Sequence, residues 1–152
     1  MTLSNKYDSG DDWDGIRDLD HYSPNVQTVV KAYLDMLLND LGYAGFRYDM
    51  VKGYDAKFTA IYNSAAKPRF SVGEYWDGNA TTVKAWINAT KVNGEPTSAA
   101  FDFPVRYAVR DLIASNWSAR AKGGLVGDAA YRRYAVSFVE NHDTEYLSLI
   151  HI

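Results

Sequence analysis

Apolar residues recur at steps of three and four through Val26, Val29, Val30, Tyr33, Leu34, Leu37, Leu38 and Leu41. That spacing predicts an amphipathic helix. Ser23-Pro24 supplies a cap residue and a proline for its first turn, and Gly42 supplies its C-cap. The period then shortens. Residues 44–51 carry β-favouring or apolar Phe46, Tyr48, Met50 and Val51 and read as a strand. A shorter helix follows at about 55–66, with Phe58, Ile61, Tyr62 and Ala65 on one face, and Pro68 ends the connection. Residues 69–76 form the second expected strand. Asn79 caps a third helix that turns Val83, Trp86 and Ile87 inward. Lys91 to Ser98 is a polar turn with Gly94 and Pro96, and Ala99 to Phe103 is a short third strand. Pro104 opens a helix with Val105, Ala108, Val109, Leu112 and Ile113 inward. Residues 117–131 are weakly patterned and read as a short helix and a loop, and Tyr134 to Val139 is the fourth strand. Helices alternating with about four strands imply an α/β fold with parallel strands and right-handed crossovers.

A length of 152 residues fits one domain with a sizeable core. A net charge of −3 and the absence of a basic run argue against nucleic acid or an anionic membrane as partners. No apolar stretch approaches the roughly 20 residues that span a bilayer, and Met1 to Lys6 lacks the apolar core of a signal peptide. There are no cysteines, which excludes disulfides, thiolate metal sites and cysteine nucleophiles. The 12 Tyr, 6 Phe and 4 Trp offer sugar-stacking surfaces or ordinary packing.

The chemistry concentrates at strand ends. Arg47 and Asp49 are two residues apart and share a face of the first strand. A carboxylate in an apolar strand needs a partner, and Arg47 is placed to keep Asp49 ionised. The second strand runs into Glu74 and the fourth into His142-Asp143. Parallel α/β folds gather their working groups at the C-terminal strand ends, so Asp49, Glu74 and Asp143 are expected on one rim. Paired carboxylates are the equipment of glycoside hydrolysis, one attacking and one donating a proton. Arg47 lowers the pKa of Asp49, which suits the attacking group. Phe70, Val72 and Trp76 give Glu74 an apolar setting, which raises its pKa and suits the acid. His142 is placed to donate to a sugar hydroxyl. Tyr75 and Trp76 serve either as stacking surfaces or as rim packing. In residues 1–22, Asp8, Asp11, Asp12, Asp14, Asp18 and Asp20 crowd together. That loop reads either as an oxygen-rich calcium site, though not an EF-hand, or as a solvated acidic loop.

Four stretches resemble the alpha-amylase family of glycoside hydrolases. Gly45-Phe46-Arg47-Tyr48-Asp49-Met50-Val51-Lys52-Gly53-Tyr54 is similar to the family's fourth-strand motif. Val72-Gly73-Glu74-Tyr75-Trp76 is similar to its fifth-strand motif, and Phe138-Val139-Glu140-Asn141-His142-Asp143-Thr144 to its seventh. Arg17-Asp18-Leu19-Asp20-His21 resembles the motif in the loop after its third strand. The resemblance implies part of an eight-stranded (β/α) barrel, from helix 3 to strand 7, and retaining cleavage of α-1,4-glucans such as starch. It implies Asp49 as nucleophile, Glu74 as general acid/base and Asp143 as the third carboxylate. Arg47 and His142 match helpers of nucleophile and substrate, and Lys52 matches a residue of the acceptor subsites. It further implies a structural calcium held by Asp18 and the Gly53 carbonyl, with Asp8 and the Gly15 carbonyl as further ligands.

On this reading residues 1–146 are a partial catalytic barrel domain and 147–152 an unrelated or artefactual tail. The family's strands 1 to 3 and 8, with an Asn calcium ligand and a substrate-binding His, are not in the chain. A parent enzyme of this kind is expected to be monomeric and secreted or periplasmic. Transglycosylase or debranching activity is the alternative within the family, and a non-catalytic α-glucan-binding relative the alternative outside catalysis.

Overall fold

Four parallel strands lie side by side and set the position of everything else. The computed structural model describes residues 4, 6, 10–12, 18–114 and 123–144. In chain order the elements are α1 (Pro24–Asp35), β1 (Gly45–Tyr48), α2 (Ala56–Ala66), β2 (Phe70–Gly73), α3 (Ala80–Ala89), β3 (Lys91–Val92), β4 (Glu95–Pro96), β5 (Ala99–Phe101), α4 (Phe103–Ile113) and β6 (Ala135–Val136). The sheet order is β1-β2-β5-β6 with every pairing parallel, and β3 and β4 form a separate antiparallel hairpin. Helices alternate with the four sheet strands, as the periodicity predicts. Among the described residues β1 and β6 are the open edges.

The strands are shorter than the apolar runs, for local reasons. β1 stops at Tyr48 because Met50 takes a left-handed backbone, φ 42 and ψ 48, and starts a 3₁₀ turn over Val51–Gly53. The run at 134–139 keeps only Ala135–Val136 as strand: Tyr134 belongs to a 3₁₀ turn over Arg132–Tyr134, and the ladder ends at Val136. The polar turn at 91–98 is a true hairpin. Asn93 and Gly94 both have positive φ, 52 and 86, the Asn-Gly combination that tight two-residue turns demand. The helix expected up to Gly42 leaves α geometry at Asp35 and adds a π turn over Met36–Asp40. Gly42, at φ 74, then lets Tyr43 N–H reach the Leu37 carbonyl at 3.0 Å.

Two apolar clusters cover the sheet. Val83, Trp86 and Ile87 of α3 meet Val51, Ala56, Ala100 and Leu125, while Phe58 and Tyr62 of α2 meet Leu34 and Phe46. Glycine is required at position 73, because the Trp86 ring lies where a β-carbon would project. The apolar arc of α1 is wider than its partners: Val26 and Leu34 are buried, but Val29 and Tyr33 stay exposed. In α4 the buried positions are Phe103, Pro104, Arg106 and Ala108, whereas of the face expected inward Val105, Val109 and Leu112 are half-buried and Ile113 is exposed; Arg106 donates to the Thr144 carbonyl at 3.2 Å.

Asp102, directly after β5, is fully buried and satisfied by the backbone. Its carboxylate caps α4 at Val105 N, 3.2 Å, and accepts from Leu125 N and Val126 N at 3.0 and 2.9 Å. Gly124 leaves it room, since a β-carbon there would collide with the carboxylate. Replacing Asp102 with Ala orphans these buried donors. We expect a loss of about 3 kcal/mol in urea unfolding of the full-length protein, and a change below about 0.5 kcal/mol would contradict this role.

Candidate active site

Asp49 follows β1 and Glu74 follows β2, so the parallel register brings both to the same end of the sheet. Arg47, on the last turn of the pleat before Asp49, joins them. One guanidinium nitrogen donates to Asp49 Oδ1 and the other to Glu74 Oε1, both at 2.6 Å. The Met50 N–H, aimed by its left-handed backbone, adds a bond to Glu74 Oε2 at 3.3 Å. The two carboxyls differ in exposure. The Asp49 side chain is 68% accessible, whereas that of Glu74 is 4%.

That difference separates their acidities. Partial burial opposes ionisation of Asp49, but hydrogen bonds with Arg47 and Glu74 and the charges of Arg47 and His142 hold its carboxyl below the ordinary range. Burial, then the hydrogen bond with Asp49, raises Glu74, and the Met50 N–H and Arg47 reverse this only in part. The two neighbouring carboxyls are thus shifted in opposite directions, Asp49 down and Glu74 up.

A cleft of about 560 Å³ opens above them, lined by Asp49, Glu74, Lys52, Trp76, His142 and Asp143 among others. His142 Nε2 lies 3.0 Å from Asp143 Oδ2. The loop that carries them is tied down by Thr144, whose hydroxyl donates to Asn141 Oδ1 at 2.7 Å and whose carbonyl is held by Arg106. Trp76 has one face against Phe103, centroids 4.8 Å apart at 26°, and its Nε1 donates to the Tyr107 hydroxyl at 2.8 Å. Trp76 is 37% exposed and lines the cleft.

Tyr75 does not line this cleft. Successive side chains of an extended segment point to opposite sides, and Tyr75 turns into the core against Trp86, at 5.9 Å between centroids. Its place is rim packing, the bland side of the two readings. The apolar setting expected for Glu74 also differs in kind: Phe70 is exposed, and it is coverage by the cleft walls together with Asp49 that raises the acid.

The acidic loop meets the site through its backbone. Asp11 N–H donates to the Lys52 carbonyl at 2.8 Å, and Gly10 lies flat on the Gly53 main chain where a β-carbon would clash. Asp20 accepts from Ser4 and Tyr22, and Asp18 Oδ1 accepts from Leu19 N–H at 2.7 Å. Among the described residues no three His, Cys, Asp or Glu gather as a metal cluster. Asp8 and Gly15 lie outside the described residues, so the described residues alone do not assemble the expected calcium cage.

Several contributors escaped the sequence reading. Met50, Arg106, Phe103 and Tyr107 act through backbone geometry or contacts between elements, and Asp77 Oδ2 lies 3.2 Å from Lys52 Nζ.

The chain is similar in sequence and in fold to known proteins. No family model matches the chain. Probable alpha-amylase 2 of Arabidopsis thaliana is 33% identical over 155 residues, covering 90% of this chain and 36% of that protein. A glucan 1,4-alpha-maltotetraohydrolase of Roseateles saccharophilus is 29% identical over 160 residues, covering 93% of this chain and 27% of that protein. The chain is a relative of the alpha-amylases. Among solved structures an alpha-amylase from Malbranchea cinnamomea shares the fold, with a TM-score of 0.59 at 22% identity over 82% of this chain and 26% of that one. This alpha-amylase relative therefore spans about a third or less of the length of these proteins.

Titration tests the electrostatics directly. Asp49, depressed, contributes stability that is present above the ordinary carboxyl value and lost as pH falls through its folded value. Glu74, raised, does the reverse, with its contribution lost as pH rises through its folded value. Arg47 lowers both groups, so Arg47→Met in this amylase relative is expected to move both titrations upward. Carboxyl-carbon NMR on the full-length protein reads them, and unmoved midpoints would contradict the bridge.

Proposed function

We propose that the full-length protein is an endo-acting hydrolase of α-1,4-glucans such as starch, working with retention through a covalent glycosyl-enzyme. The observation that carries this is the Arg47 bridge, which sets an exposed anion, Asp49, beside a buried and more basic carboxyl, Glu74. Both accept from one guanidinium, so they are neighbours. That favours the close-set carboxyls of retaining enzymes over the wider pair that admits a water between them. The relatives named above supply the substrate class: one is called an alpha-amylase and another a glucan 1,4-alpha-maltotetraohydrolase.

In the proposed reaction Asp49 attacks the anomeric carbon while Glu74 gives its proton to the departing glycosidic oxygen. Glu74, now ionised, takes a proton from water, which displaces Asp49 and restores both groups. Asp143, with His142 beside it, faces the same cleft and opposes the positive charge that develops on the sugar ring. Trp76 offers one free face for stacking, since Phe103 covers the other. Hydrolysis, rather than transfer to a second sugar, is the outcome we propose.

We expect Glu74→Gln and Asp49→Asn each to lower starch hydrolysis by at least ~10²-fold. Either variant keeping more than about a tenth of wild-type activity would contradict the assignment, and so would NMR showing inverted product. A structural calcium ion belongs to the proposal, with Asp18 and the Gly53 carbonyl among its ligands and the loop at 8–18 as its seat. Chelator should lower the melting temperature of the full-length protein and added calcium restore it. A melting curve indifferent to both would rule the ion out. The 152-residue chain by itself is proposed to be inactive, because the four sheet strands among the described residues leave two edges open.

A further inference from the structure

Tyr48 is the last residue of β1 and stands between Arg47 and Asp49. Alternation along the strand puts its ring on the helix side of the sheet, opposite the two charged side chains. There it meets Phe46 and packs with α2. Its main chain links the two candidate carboxyls, because the Tyr48 carbonyl accepts from Glu74 N–H at 2.9 Å. Its hydroxyl is tied as well, donating to Asn63 Oδ1 of α2 at 2.9 Å. The Asn63 amide uses both of its N–H bonds, on Ser71 Oγ of β2 at 2.8 Å and on the Thr97 carbonyl at 2.9 Å. Ser71 Oγ donates to Ser98 Oγ at 2.7 Å, and that hydroxyl donates to the Ala99 carbonyl at 2.9 Å. Asn63, Ser71 and Ser98 are buried, and burial raises the Tyr48 hydroxyl so that it keeps its proton and stays a donor. Every donor in this chain is partnered, the condition under which a buried polar network specifies one arrangement.

Through one side chain of α2 the relay joins the end of β1 to β2 and to the residues that lead into β5. After Tyr48 the chain leaves the ladder at left-handed Met50, so the aim of Asp49 depends on how Tyr48 is held. A roll of the strand that moves the Tyr48 ring one way moves Arg47 and Asp49 the other way. Apolar contact is non-directional and resists such a roll weakly, whereas a hydrogen-bonded hydroxyl fixes it. We propose that Tyr48 and Asn63 are positioning residues that aim the Asp49 carboxylate at the anomeric carbon and do not themselves touch the glucan. This rests on the active-site reading above. A carboxylate slightly off line attacks more slowly while the sugar contacts stay in place, so the rate of attack falls and binding holds.

Tyr48→Phe in the full-length protein tests it, since it removes one oxygen atom and keeps the ring. The probe is a fluorinated maltosyl fluoride. Asp49 bonds to its anomeric carbon as the C–F bond breaks, and fluoride leaves with the electron pair and needs no proton from Glu74. Well below the melting temperature we expect the maximal rate of labelling to fall about tenfold, with the half-saturating concentration of the probe within about twofold of wild type. Asn63→Leu should do the same. It also strands the buried Tyr48 hydroxyl, so it should melt earlier. The double variant has no stranded hydroxyl. It should melt above Asn63→Leu and yet label as slowly as either single variant. Labelling at the wild-type rate in Tyr48→Phe, weaker binding of the probe at an unchanged maximal rate, or a double variant whose labelling recovers together with its melting temperature would overturn the positioning role. If the unmodified protein takes no label on Asp49, the reading of the active site fails and the relay's role with it. If it does and Tyr48→Phe labels like wild type, the relay alone fails.

Discussion

One guanidinium shared between two carboxyls is the constraint on which the site depends. Without Arg47, Asp49 and Glu74 would be two acids at adjacent strand ends, and their mutual repulsion would push them apart or protonate one of them arbitrarily. With Arg47 between them, both are held at 2.6 Å from a single group and the choice is made by exposure: the accessible carboxyl stays an anion, the covered one rises. The bridge exists because β1 and β2 are parallel and in register, Arg47 opposite Val72 and Tyr48 opposite Gly73. That register in turn needs close approach of strand to strand, which Gly45 permits against the Phe70 main chain of β2, and of strand to helix, which Gly73 permits against Trp86 of α3.

The rim beyond the bridge is organised by short-range devices. The left-handed Met50 turns the chain so that its N–H meets Glu74 and its neighbour Lys52 enters the cleft. Asp102, fully buried and satisfied by three backbone donors, pins α4 and the turn at 125–127 behind the site. Arg106 does the same for the loop that presents Asp143, through the Thr144 carbonyl. Buried charged groups that bind backbone fix loops in place, which is where a rim made of loop residues needs rigidity.

The alternation of helix and strand was legible because each apolar run has a clear period and most have a punctuating Pro, Gly or Asn. The carboxylates were legible because they end apolar runs. Tyr75 and Trp76 were not separable, since adjacent residues of an extended segment face opposite ways and nothing in their composition says which is inside. The hairpin at 91–96 was hidden by polar residues that bury little, although Asn93-Gly94 marks the turn. Strand lengths were overestimated where backbone geometry, not hydrophobicity, bounds the ladder, after β1 at Met50 and before β6 at Tyr134. Arg106 and Asp102 were invisible as a pair of loop anchors, because their partners lie some 20 to 40 positions away in the chain.

The central claim is that Asp49 is the group that attacks. A fluorinated maltosyl fluoride, which glycosylates a retaining hydrolase but releases slowly, reads this out by mass spectrometry of the digested full-length protein. One added maltosyl group is expected on the peptide that carries Asp49, with its loss in Asp49→Asn. Label on Glu74 or Asp143, or starch hydrolysis continuing with no label at all, would contradict it.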